Sequence, residues 1–191
     1  KLINDGVASN PKTVHFIHRF ITSNTGDIAC GYYNYFLSYF EDYKCIVHDV
    51  NSVNFSLIKQ SDAIIVGGGG LLNATAEWNY CINKAALLAG QAIVWSAGFN
   101  SNLHNRDKFK INWELFDLVA VRDYQYRDFR YVPCATCVMN EFTNEYKSER
   151  RIGVVAHKDN VDHIPEEMRQ FETLKNNCTL EAFINFIATS D

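Results

Sequence analysis

The amino-acid sequence predicts an α/β protein in which helices cover both faces of a Rossmann-like parallel sheet. Short segments rich in apolar and β-branched residues alternate along the chain with segments of helical periodicity. Residues 63–66 are apolar throughout, as expected for a strand buried on both faces, and four glycines follow them. Such alternation is typical of βαβ units, and it begins again near the end of the chain.

The strands of the first unit are predicted from their apolar content and from the turns that follow them. We expect strands at residues 13–20, 45–50, 63–66, 92–97 and 116–121, and one more within residues 131–139. The first of these strands ends in a polar turn, and the fourth ends at Gly98.

Helices are expected between these strands. Residues 28–39 have helical spacing of apolar side chains, and residues 53–60 predict a short helix or a turn. Residues 78–89 form the clearest helical pattern, which Gly90 can end in a left-handed conformation. A polar and aromatic segment after Asp123 predicts one further short helix.

The last part of the chain predicts a second α/β domain. Residues 141–151 are polar and charged without apolar periodicity, so we expect them to link a first domain, residues 1–140, to a second, residues 152–191. Residues 152–157 predict a strand, and a helical pattern follows a long polar loop. Because the chain begins without Met and stops directly after that pattern, we expect it to be a piece of a longer protein with the second domain incomplete.

The composition argues against several classes of protein. The 191 residues include 18 Lys and Arg against 22 Asp and Glu, a formal charge of −4, and 47% are hydrophobic. We expect no transmembrane segment, because no apolar stretch approaches roughly 18 residues, and no nucleic-acid partner, because no Lys/Arg-rich block is present. Six cysteines without a secretory signal predict reduced thiols and a cytoplasmic protein. The sequence indicates no oligomeric state.

In an open parallel sheet, ligands bind beyond the carboxyl ends of the strands. Gly67, Gly68, Gly69 and Gly70 follow a buried strand, and without Cβ atoms their backbone can approach an anion or a sugar closely. The run is not a dinucleotide fingerprint, because Leu72 stands where G-x-G-x-x-G needs its third glycine, and no Lys-Ser/Thr pair makes it a P-loop. A tight strand-to-helix turn without a ligand is the alternative.

A second candidate group follows the first strand. Asn24, Thr25, Gly26 and Asp27 open the first predicted helix, and Asp27 is either a carboxylate favoured by the helix dipole or a catalytic base. His18 lies near the carboxyl end of that strand and can reach a site there.

Cys134 and Cys137 have the C-x-x-C spacing of zinc and redox motifs. No second such pair exists, and the flanking pattern is unlike thioredoxin, so cysteines that simply pack in the interior are the favoured interpretation. We expect neither a metal nor a cofactor.

Four segments occur in a characteristic order: residues 24–27 (NTGD), 62–72 (DAIIVGGGGLL), 95–98 (WSAG) and 117–123 (DLVAVRD). In order and spacing they resemble the polysaccharide pyruvyl transferase family, over about residues 13–188. The resemblance implies two Rossmann-like domains facing across a cleft, as in GT-B glycosyltransferases. It also implies transfer of pyruvate from phosphoenolpyruvate to sugar hydroxyls, as a ketal, in surface polysaccharide biosynthesis. The expected partners are phosphoenolpyruvate and a sugar or oligosaccharide acceptor.

Ketal formation needs an acid for the methylene carbon, a base for the sugar hydroxyl, and cations for the phosphate and carboxylate of the donor. Asp27 is the candidate base. Arg122, at a strand end, is a candidate anion clamp, with a local ion pair to Asp123 as the alternative. At the first strand exit of the second domain, where the family usually carries a basic residue, Lys158 is expected to neutralise phosphate and His157 to shuttle a proton.

The resemblance also leaves part of the site unaccounted for. Family members carry a His-Gly motif on the strand that would come after the last helix, so we expect this chain alone to be weakly active or inactive. One alternative is a nucleotide-sugar glycosyltransferase of GT-B architecture, because the fold does not fix the donor. Another is a noncatalytic carbohydrate-binding module in which Trp78, Trp95 and Tyr124 stack on sugars. A nicotinamide oxidoreductase ranks last, because the first strand exit lacks the glycine fingerprint.

Overall fold

Six strands of the computed structural model form one parallel sheet, and two others form a small second sheet. The structure describes residues 12–31, 33–73, 75–100, 109–138, 152–156 and 161–189. The strands are β1 (Thr13–His18), β2 (Lys44–Asp49), β3 (Ala63–Gly67), β4 (Gln91–Ala97), β5 (Leu118–Val121), β6 (Arg130–Tyr131), β7 (Gly153–Ala156) and β8 (Glu172–Lys175). The large sheet has the order β2-β1-β3-β4-β5-β6, which confirms the predicted α/β class and parallel sheet.

The strand order creates a switch point between β1 and β3. The chain passes from β1 to β2 on one side, then crosses back over β1 to β3 on the other side. The loops that leave the carboxyl ends of β1 and β3 therefore diverge, and a crevice opens between them.

Helices α1 (Thr25–Ala29), α2 (Tyr33–Phe36), α3 (Ala76–Leu88) and α4 (Leu180–Thr189) accompany the strands. Side chains alternate between the two faces of the sheet, so Ile64 and Val66 pack with Ile82 of α3, whereas Ile65 packs with Phe16 in a second cluster. The second cluster is completed by aromatic side chains of α2 and of a 3₁₀ helix that follows it. The face under α3 is thus buried, whereas the opposite face is covered only in part and leaves Ile93, Trp95 and Leu118 half-buried beside an apolar pocket.

The helix expected over residues 28–39 is interrupted. Cys30 ends α1, and the chain becomes helical again only in α2 and in the 3₁₀ helix Leu37–Phe40. A Cβ on Gly31 would lie 2.9 Å from the ring of His18. The tight contact with β1 accounts for a glycine at the break, which helical periodicity alone could not indicate.

The prediction that Gly90 ends α3 in a left-handed conformation is wrong. The positive φ angles among the described glycines are those of Gly68 and Gly69, and Ala89 ends α3 with extended backbone. A Cβ on Gly90 would lie 2.1 Å from the carbonyl oxygen of Gln60. The position requires glycine because two backbone segments pack closely there.

The prediction of a short helix after Asp123 is also wrong. The segment forms successive turns, in which the Tyr126 N–H donates to the Asp123 carbonyl and the Phe129 N–H donates to the Tyr126 carbonyl. The prediction of a strand within residues 131–139 is wrong as well, because only Tyr131 belongs to β6 and Ala135–Val138 form a 3₁₀ helix. By contrast, residues 53–60 contain the short 3₁₀ helix Phe55–Leu57, as expected.

The second sheet consists of β7 and β8, which run parallel, and α4 follows them. β7 confirms the strand predicted at residues 152–157, whereas the polar sequence of β8 gave no signal. The Thr25 N–H donates to the carbonyl of Asn176 at 3.1 Å, and the Thr25 hydroxyl donates to the carbonyl of Cys178. The segment after β8 therefore lies against the start of α1.

The predicted linker, residues 141–151, lies outside the described residues, and the division into domains 1–140 and 152–191 stays a prediction. None of the helices in the described part of the chain is long and apolar enough to cross a membrane.

Candidate functional site

A pocket of about 250 Å³ opens at the switch point between β1 and β3. Loops after β1, β3, β4 and β5 contribute to its wall. We call it the switch-point pocket, and its lining residues are Arg19, Asn24, Gly26, Asp27, Cys30, Gly69, Gly70, Asn100 and Arg122. Most of these were predicted as site residues, so the structure brings the loop candidates of the first unit together.

The start of α1 positions one wall of the pocket. Asn24 is the N-cap, and its Oδ1 accepts a hydrogen bond from the Gly26 N–H at 3.0 Å. Asp27 lies in the first turn, where a carboxylate is favoured by the helix dipole. Thr25 is buried and bonds to the segment after β8, so it holds the helix in place rather than lining the pocket.

Arg19 is the principal site residue that the sequence analysis missed. Its Nη1 lies 3.2 Å from Asp27 Oδ2, and its Cζ lies 5.2 Å from the ring centroid of Trp78. Neither Arg19 Nε nor Asp27 Oδ2 has an aligned hydrogen-bond partner among the described residues, although both atoms are buried. A basic residue directly after the first strand was the available signal. Buried polar atoms without partners are a mark of sites that receive a ligand.

The charge state of Asp27 reflects two opposing effects. Burial raises the pKa of the Asp27 carboxyl, and electrostatic interactions with Arg19, His18 and Arg122 partly offset that rise. A carboxyl group with a raised pKa takes up a proton more readily than an exposed aspartate, which suits a catalytic base.

His18 is fully buried behind the pocket and does not line it. Its Nδ1 lies 3.0 Å from the Gly67 carbonyl, so this nitrogen carries the proton, and burial lowers the pKa of the ring. His18 Nε2 is buried without a hydrogen bond of good geometry. His18 was expected to reach the site, but in the structure it only lies close enough to Asp27 to interact electrostatically with the carboxyl group.

The four glycines have different roles. Gly67 ends β3 and bonds to His18, and only Gly69 and Gly70 line the pocket. Gly68 has a φ of +80°, and a Cβ there would lie 2.2 Å from the carbonyl oxygen of Cys30. Gly69 has a φ of +61°, and its Cβ would lie 3.0 Å from Asp27 Oδ1. Close approach of α1 to the exit of β3 thus explains the glycine run, and a ligand is not needed to explain Gly68.

Arg122 extends across Gly98 toward the pocket. A Cβ on Gly98 would lie 2.1 Å from Arg122 Nε, so this glycine makes room for the guanidinium. The alternative, an ion pair with Asp123, is not among the ion pairs of the described residues; the Asp123 carboxylate accepts the Phe99 N–H at 2.7 Å instead. Among the described residues, the guanidinium therefore reaches the pocket without an ion pair to a carboxylate.

Two predicted residues, His157 and Lys158, lie outside the described residues. Cys134 contacts Cys30 rather than Cys137, with 3.3 Å between the sulfur atoms. Within the described ranges, no group of three or more His, Cys, Asp and Glu side chains is arranged to hold a metal.

The sequence of the chain matches one protein family. No curated protein and no solved structure matched the chain. Residues 5–178 match the family model described as polysaccharide pyruvyl transferase, and this match covers most of the chain, including every residue of the switch-point pocket. The chain therefore belongs to the polysaccharide pyruvyl transferase family, as its ordered motifs indicated.

Proposed function

We propose that the protein transfers pyruvate from phosphoenolpyruvate to two hydroxyls of a sugar, as a ketal, during surface polysaccharide biosynthesis in the cytoplasm. The observation that carries the proposal is the switch-point pocket, where a buried carboxyl of raised pKa, Asp27, faces the guanidinium groups of Arg19 and Arg122. Membership of a transferase family supports the reaction class.

The stoichiometry of ketal formation defines which chemical groups the site needs. The methylene carbon of phosphoenolpyruvate gains a proton, two sugar hydroxyls add in turn to the neighbouring carbon, and inorganic phosphate leaves. The protons of the two hydroxyls balance the proton taken up by carbon and the one carried away by phosphate. The enzyme therefore needs a group that accepts a hydroxyl proton and positive charge that holds the two anionic groups of the donor.

Asp27 is our proposed base for the sugar hydroxyl. Arg19 Nη1 lies 3.2 Å from Asp27 Oδ2, and its positive charge favours the ionised carboxylate, against the effect of burial. Oδ2 is paired with Arg19, so we assign the acceptor hydroxyl to Oδ1, the carboxylate oxygen that faces Gly69. Gly26 and Gly69 flank the carboxylate without side chains, so a sugar ring can approach it.

Arg122 is our proposed clamp for the carboxylate or phosphate of the donor. A planar guanidinium binds either group through two parallel hydrogen bonds, and Arg122 lines the pocket, where an anion can reach it. His157 and Lys158 remain the proposed proton shuttle and phosphate ligand from the second domain.

The test is an assay of the full-length protein with phosphoenolpyruvate and candidate sugar acceptors, which follows phosphate release and identifies the pyruvyl ketal by NMR. The variant Asp27→Asn is expected to reduce kcat at least about 100-fold, as is usual when a catalytic acid or base is removed. Asp128→Asn changes an exposed aspartate outside the pocket and should leave turnover unchanged. Turnover that requires a nucleotide-sugar and ignores phosphoenolpyruvate would overturn the proposal.

A further inference from the structure

Cys30 lines the switch-point pocket and contacts Cys134, and neither cysteine has a role in the proposed transfer. Cys30 follows α1 and is buried, and Cys134 precedes the 3₁₀ helix Ala135–Val138. The two sulfur atoms lie 3.3 Å apart, although the residues are 104 positions apart in the chain. Both thiols are free. The fold, rather than local sequence, therefore brings them together.

The surroundings of the pair favour one thiolate and one thiol. The hydrogen bond from Cys30, the contact with Thr136 and the positive charge of Arg122 lower the pKa of Cys134. The same hydrogen bond and burial raise the pKa of Cys30, whose Sγ lies 3.9 Å from Arg122 Nη1. Cys134 is also the more exposed of the two, so the nucleophilic sulfur is the one that a reagent can reach.

We propose that Cys30 and Cys134 are a redox site that forms a reversible intramolecular disulfide and thereby ties α1 to the segment after β6. A disulfide bond is about 2.0 Å long, so the sulfur atoms need to approach by only about 1.3 Å from their positions here. Because α1 carries Asp27 and its cap Asn24, the bond fixes one wall of the switch-point pocket covalently. The inference does not depend on the donor or acceptor of the proposed transfer.

The oxidant is a small disulfide, RSSR, of the glutathione class. The Cys134 thiolate attacks one sulfur of RSSR, which forms the mixed disulfide Cys134–S–S–R and releases RS⁻. The Cys30 thiol then loses its proton and attacks the sulfur of Cys134, which releases the second RS⁻. The two protein sulfurs are oxidised by two electrons, and RSSR is reduced to two thiols.

Cys137 is a second possible partner for Cys134, because the two residues have the C-x-x-C spacing. The chain turns between them, with the Cys137 N–H donating to the Cys134 carbonyl, but Cys137 is exposed and the Cys134 sulfur faces Cys30 instead. The geometry thus selects the distant partner over the one three residues away.

The test is peptide mapping of the full-length protein. Reduced protein is treated with oxidised glutathione at neutral pH, quenched with acid, digested without reductant and analysed by mass spectrometry. We expect a cross-linked Cys30–Cys134 peptide that dithiothreitol removes. Cys30→Ser and Cys134→Ser should abolish it, whereas Cys137→Ser and Cys81→Ser, with circular dichroism as a check on folding, should retain it. A Cys134–Cys137 bond in the folded parent, or a lasting glutathione adduct on Cys134 with Cys30 still reduced, would overturn the inference. Should Cys30→Ser fail to fold, the map of the parent protein decides alone.

Discussion

Replacement of Gly68 by alanine should destabilise the protein strongly, because two separate features require glycine there. The residue has a φ of +80°, and left-handed backbone costs an L-residue about 1–2 kcal/mol. The new Cβ would also lie 2.2 Å from the carbonyl oxygen of Cys30, a backbone atom that cannot rotate away. Overpacking of this kind typically costs about 1–3 kcal/mol. The two effects together give about 2–5 kcal/mol of lost unfolding free energy.

Thermal unfolding followed by circular dichroism measures this effect. For a protein of this size, each kcal/mol shifts the Tm by about 2–4 °C, so Gly68→Ala should lower it by about 4–20 °C. Gly26→Ala is the matched control, because Gly26 lies in α1 without a positive φ, and its Cβ would lie 3.3 Å from Asn24 Oδ1, a side-chain atom that needs to shift by only a few tenths of an ångström. The control should change the unfolding free energy by less than about 1 kcal/mol.

The result also separates two explanations of the glycine run. If Gly68→Ala kept the parent Tm within about 2 °C while ligand binding was lost, the run would serve a ligand rather than the packing of α1 on β3. If Gly68→Ala and Gly26→Ala had the same Tm, neither the positive φ of Gly68 nor its close approach to Cys30 would constrain this position.

Two further predictions concern the pocket cation and acid stability. Gly98→Ala should push the Arg122 guanidinium out of the pocket and raise the KM for phosphoenolpyruvate about 10-fold or more, with little change in Tm, and an unchanged KM in steady-state kinetics would contradict this. Burial and the neighbouring ring of His15 lower the pKa of His48 from 6.5 to about 4 in the folded protein. The unfolded chain therefore binds the extra proton, and the stability that is present above about pH 6.5 is lost as the pH falls, by about 2 kcal/mol between pH 7 and pH 5. Urea unfolding at the two pH values should show a smaller loss for His48→Gln, and an equal loss would contradict the assignment.

Local patterns predicted the sheet because its strands are defined by local properties. Residues 63–66 are uniformly apolar and became the central strand β3, and the loops of Asn24 and Gly69 met because carboxyl ends of parallel strands share one edge. The predictions that depended on a single residue were less accurate. Gly90 was predicted to end α3 in a left-handed conformation, yet glycine is needed there because the backbone of Gln60, thirty positions away, packs closely against it.

The parts of the site that the sequence did not reveal all depend on contacts between distant segments. Arg19 matters because the turn after β1 folds back and places Asp27 3.2 Å away. Cys134 was considered only with Cys137, three residues away, because nothing in its neighbourhood indicates the distant Cys30. Pairings of this kind are set by the strand order and the loop paths, and periodicity carries no information about them.

If the switch-point pocket binds phosphoenolpyruvate, the variant Arg122→Gln should bind it more weakly than the parent protein does. Isothermal titration of the full-length protein should show phosphoenolpyruvate binding that weakens at least about 10-fold in this variant, the loss typical of one charge-assisted contact. Arg127→Gln, which changes an exposed arginine outside the pocket, should bind as the parent does. If the parent and Arg122→Gln, both folded, bound phosphoenolpyruvate with equal affinity, the pocket would not bind this donor through Arg122, which would contradict the proposal.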